Sequence, residues 1–262
     1  MEKTAILCIF ALWSPGYIFC ITGKDPTRNI PFSSRNDGSA RGLTNISGVS
    51  NYINQLIREG EHQQLDFKYG ITDSRKIART LSAFSNTRGG RLLIGIKDNG
   101  NISGVKTEEE YYMLEAAAQM YCRPEISFEV KKWQVNEKTV LEAIIPEAPE
   151  KPVLAPTEQG PWKAFIRVND QNLVAARVIL KIWKLENRKH GLSIKYTRKE
   201  RMLIEWLEKN ETITHTQFCR IATLTRDSAE NILAHLVVLG VLSMEVGQKQ
   251  ILFRLNAPDE KI

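Results

Sequence analysis

The sequence predicts an α+β (mixed α/β) domain over residues 46–187, joined by a short hinge to a small helix-rich module over residues 197–256. Three observations carry that expectation. Helical and strand periodicities follow one another without strict alternation between residues 46 and 187, which argues against a regular βαβ repeat. From residue 197 the pattern changes to three short amphipathic helices and a terminal hairpin. The chain has 262 residues and is 42% apolar and 25% charged, so it can bury one large core or two smaller ones and is not a disordered or collagen-like chain.

The first 45 residues stand apart. Ala5 to Thr22 (AILCIFALWSPGYIFCIT) is almost wholly apolar and at the short end of a membrane span. Pro15-Gly16 divides it, Glu2 and Lys3 flank it, and no small-x-small cleavage site follows. Tyr17-Ile18-Phe19 before Cys20 is too bulky for a lipoprotein site. Residues 23–45 are polar and rich in Gly, Ser and Asn, the composition of an unstructured linker. Three readings stay open: an over-extended gene start, since the next methionine is Met113, a membrane anchor through residues 5–22, or an export signal. The remainder reads as cytosolic, so the expected location is the cytoplasm, with membrane attachment only if residues 5–22 are retained.

The elements follow in order. Val49, Tyr52, Ile53, Leu56 and Ile57 repeat with helical spacing over 47–59, and Gly60 ends the run. Residues 65–69 alternate as a strand. Residues 74–86 make a second helix with Ile77, Leu81 and Phe84 on one face, closed by Gly89-Gly90. Residues 92–96 (LLIGI) read as a buried strand and Asp98-Asn99-Gly100 as a turn. Thr107 with Glu110 predicts a capping box opening a helix to about Cys122, stopped by Pro124. Residues 126–134 and 138–145 predict a hairpin around Asn136-Glu137. Pro146, Pro149, Pro152 and Pro156 make 146–161 a loop, 162–168 a strand follows, and 173–185 reads as a helix. Residues 188–196 are the hinge. A helix over 197–209, a short one from Thr214, a tight turn, a helix over 226–239 capped by Thr225, and strands either side of Gly247-Gln248 complete the chain before a tail at 257–262.

Charge and cysteine content narrow the chemistry. The formal net charge is +6, which permits a polyanionic partner without requiring one. Residues 188–256 hold 11 basic and 7 acidic side chains, against 19 and 18 in residues 46–187, so the basic excess concentrates in the C-terminal module. Cys8, Cys20, Cys122 and Cys219 form no C-x-x-C pair and the four histidines are scattered, which argues against a disulfide framework or a Cys/His metal site.

The most informative run is Gly60 to Gly104. It holds Glu61, the strand Leu65-Asp66-Phe67-Lys68, Ala83-Phe84-Ser85-Asn86-Thr87 with Gly89-Gly90, and Ile94-Gly95-Ile96 with Asp98, Gly100 and Gly104. In these blocks and their spacing the chain resembles the Schlafen AlbA-like domain family. The resemblance extends more weakly to about residue 187 and covers neither residues 1–45 nor the C-terminal module. It implies a nucleic-acid-associated α/β domain. In some members, chiefly animal Schlafen proteins, three carboxylates form a metal-dependent RNA endonuclease centre. Matched position by position, these are Glu61, Asp66 and Asp98, with Mg²⁺ or Mn²⁺ as the implied ion. Here Asp66 stands where the longer Glu is usual, which shortens its reach. Bacterial-type members are often labelled ATP-binding, but this chain has no G-x-x-x-x-G-K-[ST] loop, and ATP is discounted.

The residues permit such chemistry. Asp66 and Lys68 are two apart on a strand and share a face. A carboxylate beside a lysine can hold a divalent ion and stabilise charge developing on phosphate. The same pair also suits a plain surface ion pair, and Asp98 before Asn-Gly suits any tight turn. Arg75, Arg79, Arg88 and Arg91 are candidate phosphate contacts of this domain.

The C-terminal pattern of three helices and a hairpin resembles the winged helix-turn-helix domains of bacterial regulators. Its reading residues would be Thr225, Arg226, Ser228 and Asn231 at the start of the third helix, with Lys249 at the hairpin tip and Arg198 and Lys199 approaching the backbone. Asp227 and Glu230 on the same helix would repel phosphate. The leading expectation is a DNA-binding transcriptional regulator, possible as a homo-oligomer. The alternatives are a metal-dependent RNA endonuclease using Glu61, Asp66 and Asp98 with Lys68 assisting, and a protein-interaction adaptor.

Overall fold

A parallel strand pair starts the architecture. In the computed structural model, which describes residues 46–105, 107–188, 191–192 and 195–256, helix α1 (Ile46–Glu59) leads into β1 (Leu65–Lys68). Helix α2 (Ser74–Asn86) crosses over to β2 (Gly90–Ile94), which pairs with β1 in parallel, Asp66 opposite Leu92. Helix α3 (Glu109–Met120) and the hairpin β3 (Glu129–Val135) and β4 (Lys138–Ile145) follow, and β4 adds antiparallel to β2. The sheet order is β1-β2-β4-β3. Asn136 and Glu137 both take positive φ, 51° and 62°, the requirement of a two-residue hairpin turn.

The two faces of this sheet feed different cores. Leu92, Ile94, Leu141 and Ala143 pack with Leu81 and Phe84 of α2 and Leu114 of α3. Leu93, Val140, Leu65 and Phe67 pack with Ile53 and Leu56 of α1. Coverage on both sides explains why β2 is an unbroken apolar run rather than an alternating one. The double glycine after α2 is required by close approach. Gly89 has φ +67° and its absent Cβ would lie 2.6 Å from the Ile145 carbonyl; one on Gly90 would strike the Phe84 ring.

A second, antiparallel sheet of β5 (Leu154–Pro156), β6 (Trp162–Val168) and β7 (Gln171–Val174) follows. Phe165 of β6 joins the α2 core, while Ala164, Ile166 and Val168 on its other face join the core of helix α4 (Arg177–Glu186). The C-terminal unit is α5 (Arg198–Lys209), β8 (Ile213–Thr214), α6 (His215–Ile221), α7 (Arg226–Val238), β9 (Leu242–Val246) and β10 (Ile251–Leu255), with sheet order β8-β10-β9. Thr197, Thr214 and Thr225 cap its three helices through their side chains. Ile179 and Ile182 of α4 share one core with Leu203, Phe218, Leu233 and Phe253. The expected hinge at 188–196 thus joins two units that bury apolar surface together.

Four expectations need correction. Residues 154–156 form a strand inside the proline-rich loop, because Leu154 and Pro156 pair with Ala164 and Trp162. The helix expected from Leu173 begins at Arg177. Residues 171–174 return instead as β7, through a turn at Asn169-Asp170 where Asn169 has φ 55°. The strand expected over 92–96 runs from Gly90 to Ile94, and Gly95, at φ +99°, bends the chain away. Thr107 and Glu110 form no capping box. The Thr107 hydroxyl accepts from the Glu109 amide and donates to the Glu110 carboxylate, and the helix starts at Glu109. Expectations for residues 1–45 and 257–262 lie outside the described residues. Among the described residues no helix is long and apolar enough to cross a membrane.

Candidate functional site

Parity on β1 places the acid–lysine pair. Leu65 and Phe67 face α1, so Asp66 and Lys68 face the other side, toward α2 and β6. Lys68 Nζ lies 2.9 Å from Asp66 Oδ2. The expected shared face is therefore real, but it is not an open one. Asp66 is 3% exposed, and Arg167 of β6, equally buried, reaches its Oδ1 at 3.1 Å. Arg167 also donates to the carbonyls of His62 and Leu65 and to Asn172 Oδ1, and its guanidinium lies 5.2 Å from the centre of the Phe84 ring. Its donors are distributed over β1, β7 and the turn before β1, which locks the second sheet to the first.

Glu61 joins this cluster. Its Oε1 accepts the Phe67 amide at 2.8 Å, and its side chain stands next to that of Asp66, close enough for each to shift the other's titration. Burial, then the hydrogen bond to Asp66, pushes the Glu61 carboxyl above the usual glutamate range. Burial also works against ionised Asp66, yet the Glu61 hydrogen bond, Lys68 and Arg167 outweigh it and hold its pKa below the usual range. The neighbouring carboxyls are thus driven apart, Glu61 titrating above and Asp66 below the usual ranges.

Asp98 does not enter the cluster. It is exposed in the turn closed by the Gly100 amide on the Lys97 carbonyl. Among the described residues no three His, Cys, Asp or Glu side chains are placed to hold a metal ion together. With Asp66 occupied by two cations and Glu61 by a backbone amide, the residues do not fit a shared Mg²⁺ or Mn²⁺, and no step is derived through one.

The polar residues of the Ala83–Thr87 block are structural. Asn86 spans from α2 to the second sheet, donating to the carbonyls of Val153 and Phe165 and accepting the Val153 amide at 2.8 Å. Ser82 donates to the same Val153 carbonyl. Thr87 donates to the Ala83 carbonyl and accepts the Arg167 amide. A further buried carboxylate, Glu142 of β4, was not foreseen. It accepts Tyr52 Oη at 2.6 Å and Trp133 Nε1 at 2.8 Å and pairs with Arg91 at 3.2 Å. It fixes α1 to the sheet, and burial followed by the Glu142 bond pushes the Tyr52 hydroxyl up to about 12.

The expected nucleic-acid contacts divide by engagement. Arg91 is held by Glu142, Arg79 by Glu158 and Arg226 by Glu230. Arg75 is exposed over the Tyr121 ring. Arg88 is exposed beside a cleft of about 270 Å³ shared with His62, Gln64 and the glycine pair. Arg198 and Lys199 are exposed at the start of α5, and Lys249 in the β9–β10 turn. Asp227 and Glu230 turn toward α4, where Arg177 and Lys181 pair with both. The free side of α7 presents Ser228, Asn231 and His235. Together with Lys195 and Lys199 these line an open groove of about 380 Å³. Asn231 Nδ2 is donated to Asp227 and the Ser228 hydroxyl accepts from Thr225, so both are oriented before any ligand arrives.

Arg167 and Glu142 are the residues that pattern reading missed. Each is a charge in an otherwise apolar strand, AFIRV and VLEAII. That is the signature of a buried, paired ion, and it was legible without its partner.

Comparison with known proteins agrees with the first unit. Residues 61–176 match the sequence model of the family described as Schlafen, AlbA_2. Among solved structures, the DIP2311 protein of Corynebacterium diphtheriae is 18% identical with a TM-score of 0.39; the alignment covers 56% of this chain and only 33% of that one. The N-terminal domain of an ATP-dependent DNA helicase RecG-related protein from Nitrosomonas europaea is 22% identical with a TM-score of 0.36, covering 55% of this chain and 98% of that one. No curated protein matches the chain. Fold and match together define a mixed α/β protein whose residues 61–176 are similar to the Schlafen, AlbA_2 domain.

Proposed function

We propose that the chain is a nucleic-acid-binding protein, a DNA-binding transcriptional regulator of the cytoplasm in which residues 197–256 act as a winged helix-turn-helix module. The observation that carries this reading is the free side of α7. Ser228, Asn231 and His235 lie along it, bordered by Lys195 and Lys199, in a groove that stays open while the acidic side of the helix is spent on α4. The order helix, strand, helix, helix, strand, strand supports it, as does an exposed Lys249 at the hairpin tip. The family match supports a nucleic-acid role for the first unit. A homo-oligomer would set two such modules on a repeated site.

In this reading Asn231 addresses a base edge and Lys199 and Lys249 address phosphates. Fluorescence anisotropy of the full chain with labelled duplex DNA tests it. Binding is expected to weaken steeply with salt, and Lys199→Ala to lower the slope of log affinity against log salt by about 1. Asn231→Ala is expected to cost about 1–3 kcal/mol on the preferred sequence only. No duplex binding at low salt would end the proposal.

A further inference from the structure

The outer edge of α2 carries a second basic surface, remote in sequence from the α7 groove. Arg75 and Arg79 stand one turn apart there with Lys76 beside them. The segment after α3 runs along this edge: Cys122 Sγ lies 3.6 Å from the Ala78 carbonyl, and the Tyr121 ring centre lies 5.6 Å from Arg75 Cζ. Arg123 exchanges two backbone hydrogen bonds with Leu154, of 2.9 and 2.7 Å. Its guanidinium covers Trp162 at the start of β6, Cζ 4.0 Å from the ring centre. Two cation–ring pairs, Arg75 with Tyr121 and Arg123 with Trp162, therefore stand close along the chain, joined by the short segment from Tyr121 to Arg123. Arg75, Lys76 and Arg123 are exposed, and the two rings are half-buried and so held in place. Glu158 takes Arg79 at 3.1 Å, whereas Arg75, Lys76 and Arg123 pair with no carboxylate among the described residues.

We infer that this Arg75–Tyr121–Arg123–Trp162 surface is a stacking platform for single-stranded nucleic acid. Guanidinium planes and tyrosine rings stack on bases of any identity, and unpaired cations between them meet the phosphates. Arg123, backed by Trp162, offers its outer face to a base without first having to be ordered. A duplex hides its base faces, so the platform favours unpaired strands. It is distinct from the groove proposed for duplex DNA, and the two are separable.

The test is anisotropy of the full chain with labelled oligouridine RNA, oligothymidine DNA and a duplex of equal length. Arg123→Ala and Tyr121→Ala are each expected to weaken single-strand binding roughly tenfold while duplex binding holds; the exposed Arg123 is expected to be lost without change in melting temperature, whereas Tyr121 packs on the core and its variant is expected to melt lower. Arg123→Lys keeps the charge and loses the plane, and is expected to reproduce that loss with the salt slope unchanged. Either preference between the RNA and DNA strands supports the platform. Wild-type strength in Arg123→Lys and Tyr121→Ala overturns it, as does single-strand binding that disappears with Lys199→Ala and leaves these variants untouched. Absence of duplex binding alone would sink the α7 reading and leave this one standing.

Discussion

Asp66 and Asp227 are both aspartates gripped by two basic side chains, yet they belong to opposite regimes. Asp66 lies 3% exposed between Arg167 and Lys68. Asp227 lies on the surface between Arg177 and Lys181, at 3.1 and 2.8 Å. The distances are alike and the environments are not. Around Asp66 the carboxylate and the Arg167 guanidinium were taken out of water, so each needs every partner it has. Around Asp227 water competes for the charges, and salt screens them. The comparison separates two uses of charge in one chain: one welds two sheets, the other trims the acidic side of a helix whose remaining side stays available.

The sharpest way to break the comparison is Arg167→Ala. It leaves Asp66 buried with Lys68 as its remaining cation, and urea unfolding is expected to show a loss of about 3–5 kcal/mol, largely independent of salt. A pH series then sharpens it. Asp66 titrates below the usual range, so its contribution is full above the unfolded value and is lost as pH falls through the folded one. Glu61 titrates above the usual range, so its contribution is full at low pH and is lost as pH rises through its folded value. Because each shift rests partly on the other carboxyl, urea midpoints against pH are expected to lose the upper step in Glu61→Gln and the lower step in Asp66→Asn, with the remaining step in each variant moved toward its ordinary range.

Smaller effects follow at the surface. Tyr52→Phe removes one hydrogen bond to Glu142 and is expected to cost about 1 kcal/mol. In the wild type that contribution is full below the ordinary tyrosine range and is lost as pH rises toward about 12; the variant should lack this alkaline step in a denaturation series. The smallest change is expected from Arg177→Ala, whose effect on the melting temperature should shrink at high salt, since salt reaches its Asp227 contact while its second partner, Glu230, is buried. Persistence of that effect undiminished at high salt would show that the α4–α7 contact belongs with the buried regime.

Much of the fold was written locally. Helix α2 from Ser74 to Asn86, the I′-type hairpin at Asn136-Glu137, the Thr225 cap and the terminal strands all follow from periodicity, turn chemistry and capping over a few residues. The failures share a cause. Residues 154–156 and 171–174 are strands only because β6 lies between them to accept their hydrogen bonds, and nothing within either segment announces that partner.

The site divides in the same way. The sequence by itself determined that Asp66 and Lys68 share a face, because side chains alternate along any strand. It also determined that α7 begins at Arg226 and that basic residues gather near the C-terminal end. Only the tertiary structure decided that β6 brings Arg167 onto Asp66, that Asp98 stays in its own turn, and that α4 takes Asp227 and Glu230 out of play. The reason is that a strand's parity is fixed over two residues, whereas a buried ion's partner lies a hundred positions away, 101 in the case of Asp66 and Arg167, and is chosen by how two sheets pack.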